Sequence, residues 1–172
     1  REGDGGIDAV LVGDETLRAD VTIVAAGAWT PILLPQLRDR MRPVGQPVLH
    51  FAPADPAPFS PPAFVPWAAD IGRTGWYGFS ANADGIVKIA NHGPGSDVDP
   101  RGPRPFPADA ERHFREFLRR MLPALADAPI VHRRSCLYCD SFDGDLWIDR
   151  DPERANLVVA AGGSGHGFKF AP

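Results

Sequence analysis

Leu157-Val158-Val159-Ala160-Ala161-Gly162-Gly163-Ser164-Gly165-His166-Gly167-Phe168-Lys169 is the stretch whose reading decides the fold class. Leu157 to Ala160 read as a fully apolar, buried strand. Gly162, Gly163, Gly165 and Gly167 then form a loop at its C-terminal end. Backbone N–H groups gathered at such an edge favour an anionic or strongly polar ligand. The spacing is not GxGxxG, and a glycine-rich turn can be no more than a turn. Just upstream, Leu146-Trp147-Ile148 reads as a short strand, and Asp149 to Ala155 as a turn.

Working outward, residues 7–12 predict a strand, Gly13-Asp14 a turn, and residues near 17–25 a second strand. Val21 to Ala25 is apolar enough to be a buried arm of that hairpin. Thr30-Pro31 predicts a short helix through Leu37, with Thr at the cap and Pro in the first turn. Residues 43–66 hold eight prolines and predict edge strands and extended loops, because proline denies a central strand its ladder donor. Trp76 to Phe79 and Ile86 to Ala90 predict a hairpin closed by Asn82-Ala83-Asp84-Gly85. Residues 94–107 form a proline-rich loop. Asp109 to Leu122 predict the clearest helix, with Phe114, Phe117, Leu118, Met121, Leu122 and Leu125 on one face. The fold class is mixed α and β (α+β).

Composition narrows the function. The 172 residues include 19 Pro and 18 Gly, well above average usage. A 44% hydrophobic fraction supports a packed core. The net charge of −4 argues against a nucleic-acid binder relying on a basic field. No apolar run or leader pattern suggests a membrane span or export, so the expected location is cytoplasmic. Both ends look cut, and a piece of a longer protein is expected. Cys136 and Cys139 form a lone CxxC, too few ligands for a zinc site. Of 18 basic residues, only Lys88 and Lys169 are lysines.

Four segments, in order, resemble one family. Leu17 through Trp29 is similar to a strand-and-loop segment of flavin amine oxidases. Tyr77-Gly78-Phe79 with Gly85 through His92 resembles their active-site hairpin. Cys136-Leu137-Tyr138 resembles their flavin-attachment segment, and Gly163 through Phe170 their C-terminal flavin loop. The family is the monomeric sarcosine oxidase and N-methyltryptophan oxidase group, related to D-amino-acid oxidases and fructosyl amino acid oxidases.

The resemblance implies FAD, oxidation of a C–N bond of a secondary amino acid, and reduction of O2 to H2O2. It implies a monomeric parent with no nucleic-acid or membrane partner. Residues 1–42 and 141–172 would belong to a flavin-binding domain, and 43–140 to a substrate domain. Lys88 would lie over the flavin and assist oxygen, since a preorganised ammonium stabilises the charge that builds on reduction. A strand lysine is otherwise ordinarily exposed. Lys169 would receive the substrate carboxylate beside the flavin. His92 and Tyr77 would line the substrate cavity, or be satisfied core residues. Cys136 would carry a covalent thioether to FAD, although free cysteines are more often small buried hydrophobes. Arg133 and Arg134 would supply positive potential there. Ala26, Gly27, Ala28 and Trp29, with Gly163, Ser164, Gly165, His166, Gly167, Phe168 and Lys169, would contact the cofactor. Other readings share these residues: a related FAD dehydrogenase or deaminating amino-acid oxidase, a noncatalytic remnant, or an unrelated β-rich binding module.

Overall fold

The computed structural model describes residues 1–170. In chain order the strands are β1 (Glu2–Gly3), β2 (Gly6–Ile7), β3 (Val10–Val12), β4 (Glu15–Leu17), β5 (Thr22–Val24), β6 (Met41–Phe51), β7 (Trp67–Ala69), β8 (Trp76–Phe79), β9 (Val87–Asn91), β10 (Ser96–Asp97), β11 (Ile130–Ser141), β12 (Leu146–Arg150) and β13 (Leu157–Gly162). Helix α1 (Thr30–Leu33) precedes β6, and α2 (Ala110–Met121) and α3 (Pro123–Ala126) precede β11. This is a mixed α/β chain dominated by sheet. It divides into two compact units, Arg1–Pro43 with Tyr138–Pro172, and Val44–Leu137. No helix among the described residues is long and apolar enough to cross a membrane.

In the first unit, β13 lies antiparallel to β12 and parallel to β5, with Leu157 opposite Thr22. Leu157, Val159 and Ala161 pack with Leu34, Met41 and Cys139. The strand is apolar throughout, yet only alternate residues are buried. The hairpin is shorter than expected. Gly13-Asp14 joins β3 to β4, and that pairing ends with Leu17 opposite Val10. Val21 to Ala25 is not its buried arm: Thr22–Val24 pairs with β13 instead, and Ile23 is 64% exposed. Val24 packs against this core, and alternation turns Ile23 to the opposite face, which meets water. Thr30 is the first helical residue rather than the cap, with Pro31 behind it. Leu34 leaves helical geometry before Pro35, which splits the expected helix into α1 and a 3₁₀ turn over Pro35–Leu37.

In the second unit the sheet order is β10-β6-β9-β8-β7, and β11 also pairs with β6. The proline-rich segment therefore contains a central strand rather than only edges and loops. Val44 and Gly45 pair with β10, and Val48 to Phe51 pair with β9. Pro47 falls where the partner changes, so its missing N–H interrupts neither run. The turn after β8 forms as predicted. The Asn82 Oδ1 accepts from the Asp84 and Ile86 amides, and Gly85 adopts φ 74°.

Leu49, Phe51, Trp76, Val87 and Ile89 face α2, whose Phe114 and Leu118 are fully buried against them. Trp76 stacks on Phe117 with centroids 4.0 Å apart and meets Phe114 edge to face at 5.0 Å. Met121 does not join this core and is 57% exposed. The helix ends there, and the turn at Leu122 brings Leu125 into the core instead. Arg112 and Glu116 pair across one helical turn on the exposed side of α2.

Candidate functional site

Strand alternation sorts the second unit's sheet into two faces. Trp76 and Gly78 on β8, Val87 and Ile89 on β9, and Leu49 and Phe51 on β6 belong to the buried side facing α2. Tyr77, Phe79, Lys88 and His50 fall on the other side. Register aligns them, with Phe79 opposite Lys88 and Lys88 opposite His50. Gly78 lacks a side chain for a packing reason: a Cβ there would come within 2.7 Å of the Trp67 indole.

The Lys88 ammonium sits over the Phe79 ring at 4.8 Å and near the Tyr77 ring at 5.8 Å. Lys88 is half-buried. No carboxylate forms an ion pair with it among the described residues. The same face gains nitrogen side chains from β11. His132 meets His50 edge to face at 5.2 Å between centroids. Burial, then the charges of His132, Lys88 and Arg134, hold His50 below the usual histidine range. Lys88 and Arg134 are the permanent cations near His50, and neither forms an ion pair with a carboxylate among the described residues.

Cys136 is half-buried on β11, and its Sγ accepts a hydrogen bond from the Arg134 Nε at 3.2 Å. Arg133 points elsewhere and pairs with Glu111 of α2. Cys139 is buried, and burial pushes its thiol pKa up. Three residues apart on a strand, the two sulfurs leave opposite faces, and both thiols are free. His92 follows β9, is half-buried, and its amide donates to the Gly75 carbonyl at 2.7 Å. Gly75 (φ 71°) is confined there because a Cβ would strike the His92 carbonyl.

The other predicted residues belong to the first unit. Gly27, Ala28 and Trp29 form a 3₁₀ turn after Ala26, with Ala28 buried and Trp29 37% exposed. Gly27 adopts φ 52°, and no heavy atom lies within 4 Å of where its Cβ would stand. In the C-terminal loop, Gly162, Gly163, Ser164 and Gly165 all have positive φ. Side chains at Gly162, Gly163 and Gly165 would collide with the Asp145 carbonyl, Leu146 and the Tyr138 ring respectively. These glycines are therefore required by the chain's own packing. The Ser164 amide donates to the Cys139 carbonyl and the His166 amide to the Gly163 carbonyl, so two loop donors are spent internally. Gly167 to Phe170 form a 3₁₀ turn in which Phe168 and Lys169 are exposed. The Lys169 Nζ lies 5.1 Å from the Phe170 ring centroid.

Sequence reasoning missed His50, His132 and the role of Phe79 as the platform of Lys88. Alternation in Val48-Leu49-His50-Phe51 carried the signal for His50, but the surrounding prolines hid the strand. A cavity of about 310 Å³ bounded by Phe64, Val65, Trp67, Phe117 and Met121 lies against α2, and it contains none of the predicted site residues.

A cationic, aromatic sheet face and a positive-φ glycine loop after a strand are the parts expected of a cofactor-dependent oxidoreductase. The chain belongs to the FAD dependent oxidoreductase (DAO) family, whose model matches residues 1–172. It is 33% identical to monomeric sarcosine oxidase of Bacillus sp. (strain B-0618) over 160 residues, covering 89% of this chain and 40% of that protein. It is 32% identical to N-methyl-L-tryptophan oxidase of Salmonella agona (strain SL483) over 174 residues, covering 98% and 45% respectively. The crystal structure of fructosyl amine: oxygen oxidoreductase (Amadoriase I) from Aspergillus fumigatus aligns with TM-score 0.80 at 28% identity, covering 97% of this chain and 40% of that one. The chain thus spans less than half the length of these relatives.

Taken unit by unit, the residues present fit a flavin. An ammonium without a carboxylate partner suits a ring that becomes anionic on reduction. The open backbone at Gly27 lets a flat or polar group approach without a side chain in the way.

Proposed function

We propose that this chain is part of an FAD-dependent amine oxidase that oxidises a C–N bond of a secondary amino acid and reduces O2 to H2O2. The observation that carries the reading is Lys88, an ammonium without a carboxylate partner among the described residues, held over Phe79 and Tyr77. The relatives' names support the substrate class: sarcosine, N-methyl-L-tryptophan and fructosyl amines share a secondary amine nitrogen.

A flavin bound by these residues would supply two-electron transfer between the substrate and oxygen. Lys88 stabilises the negative charge that develops on oxygen, and its aromatic flank shields one side of the ammonium while solvent screens the rest. Lys169 holds the substrate carboxylate through a charge-assisted bond and so orients the amine. Tyr77 and His92 line the substrate space. Cys136 anchors the cofactor covalently, with Arg134 as its neighbour. Ala26 to Trp29 and Gly163 to Lys169 hold the cofactor in the flavin-binding portion, residues 1–42 and 141–172. Residues 43–140 form the substrate portion.

The test is a peroxide assay of the flavin-loaded protein over sarcosine, N-methyl-L-tryptophan, proline-like amines and fructosyl amino acids. Substrate-dependent peroxide from at least one secondary amine is expected. Flavin reduction without peroxide would make it a dehydrogenase instead.

A further inference from the structure

Two imidazoles on the Lys88 face have no part in the reading above. His50 stands directly opposite Lys88 in the β6–β9 register, and His132 of β11 abuts His50 at 5.2 Å. The His50 Nδ1 is buried and has no hydrogen-bond partner. The Lys88 ammonium leans toward Phe79 and Tyr77 of β8, leaving His50 on its opposite flank. The charged or titratable neighbours facing His50 are Lys88 from β9 and His132 and Arg134 from β11. None of these groups forms an ion pair with a carboxylate among the described residues.

We propose that His50 is a second electrostatic residue next to Lys88, which when protonated adds positive charge to the face and speeds electron transfer to oxygen. The proposal rests on Lys88 being the cation that faces oxygen. Reduction of O2 to H2O2 takes two electrons and one proton from the reduced cofactor and one proton from water. His50 contributes charge only and keeps its own proton. Three cationic or titratable neighbours and burial oppose its protonation, so the second charge arrives only in acid. Burial sets where that transition falls, and the exposed His132 lowers it further.

The experiment follows flavin reoxidation by O2 between pH 8 and pH 5 in the holoenzyme, alongside NMR titration of the His50 ring. The wild-type rate should rise about fivefold in acid, the size expected of a nearby but partly screened charge. The rise should coincide with the His50 titration. His50→Phe and His50→Gln should both flatten the profile. His132→Asn should move the His50 titration and the rate increase together toward higher pH, because a repelling neighbour is gone. An acid-side rise that persists in both His50 variants, or one that does not track the ring titration, overturns the proposal. If Lys88→Met leaves reoxidation unchanged, the oxygen-facing reading of Lys88 fails first and takes the role of His50 with it.

Discussion

Replacing Lys88 with Met removes one charge while keeping the length and apolar stem of the side chain. The lost packing is small. The ammonium lies 4.8 Å and 5.8 Å from two aromatic centroids, and cation–π contacts at such sites are worth about 0.5–1 kcal/mol. The thioether of Met recovers part of this against the same rings. The melting temperature should therefore move by only a few degrees. Oxygen reduction should respond much more. A unit charge about 4 Å from a developing superoxide, at an effective permittivity near 20, contributes about 4 kcal/mol. Lys88 is only half-buried, and solvent screening cuts this to about 2–3 kcal/mol, or roughly a hundredfold in rate. Stopped-flow spectroscopy of the flavin separates the two half-reactions. The oxidative rate constant with O2 should fall about a hundredfold, while reduction by substrate changes by less than about threefold. An oxidative rate within twofold of wild type would refute the electrostatic role of Lys88, and an equal fall in both halves would point to general damage.

Acid denaturation of the holoenzyme should leave flavin on the wild-type chain and on Cys139→Ser, but release all of it from Cys136→Ala; flavin retained by Cys136→Ala would end that assignment. Phe114→Ala empties a fully buried site beside Trp76 and should cost about 3–5 kcal/mol in urea unfolding, with a loss below 1 kcal/mol contradicting the core described above. Gly165→Ala combines a positive φ with a collision against the Tyr138 ring and should destabilise by about 1–3 kcal/mol; unchanged unfolding would mean the loop relaxes freely. His50, held below the ordinary histidine range, binds its proton less readily folded than unfolded. Its contribution to stability is full above about pH 6.5 and is lost as pH falls through the lowered folded value. His50→Phe should remove that part of the acid destabilisation, read as a shallower fall of the urea midpoint between pH 7 and pH 5.

Much of the placement of the candidate site in the fold was legible because its signals are local. The turn at Asn82 to Gly85 needs only an Asx side chain and a positive-φ glycine, and it forms between β8 and β9. Once that hairpin is set, alternation places Lys88 on the face opposite Val87 and Ile89. His50 and His132 were not legible, because their relation to Lys88 exists only through β6 pairing with both β9 and β11. The glycine loop was visible, but the reason for its glycines was not. Tyr138, Asp145 and Leu146 crowd three of them, and those neighbours come from β11 and from the turn and strand start at 145–146.

By itself, then, the sequence determined the elements whose causes lie within a few residues: the amphipathic α2, the β8–β9 hairpin, and the strand that runs into the glycine loop. Tertiary structure decided partner and exposure. It made the proline-bearing β6 a central strand by changing its partner at Pro47, took Val21 to Ala25 away from the hairpin, left Met121 outside the core, and buried Cys139 while leaving Cys136 half-exposed. The physical reason is that periodicity and turn chemistry act along the chain. Ladder hydrogen bonds and burial depend on which distant segment arrives beside it.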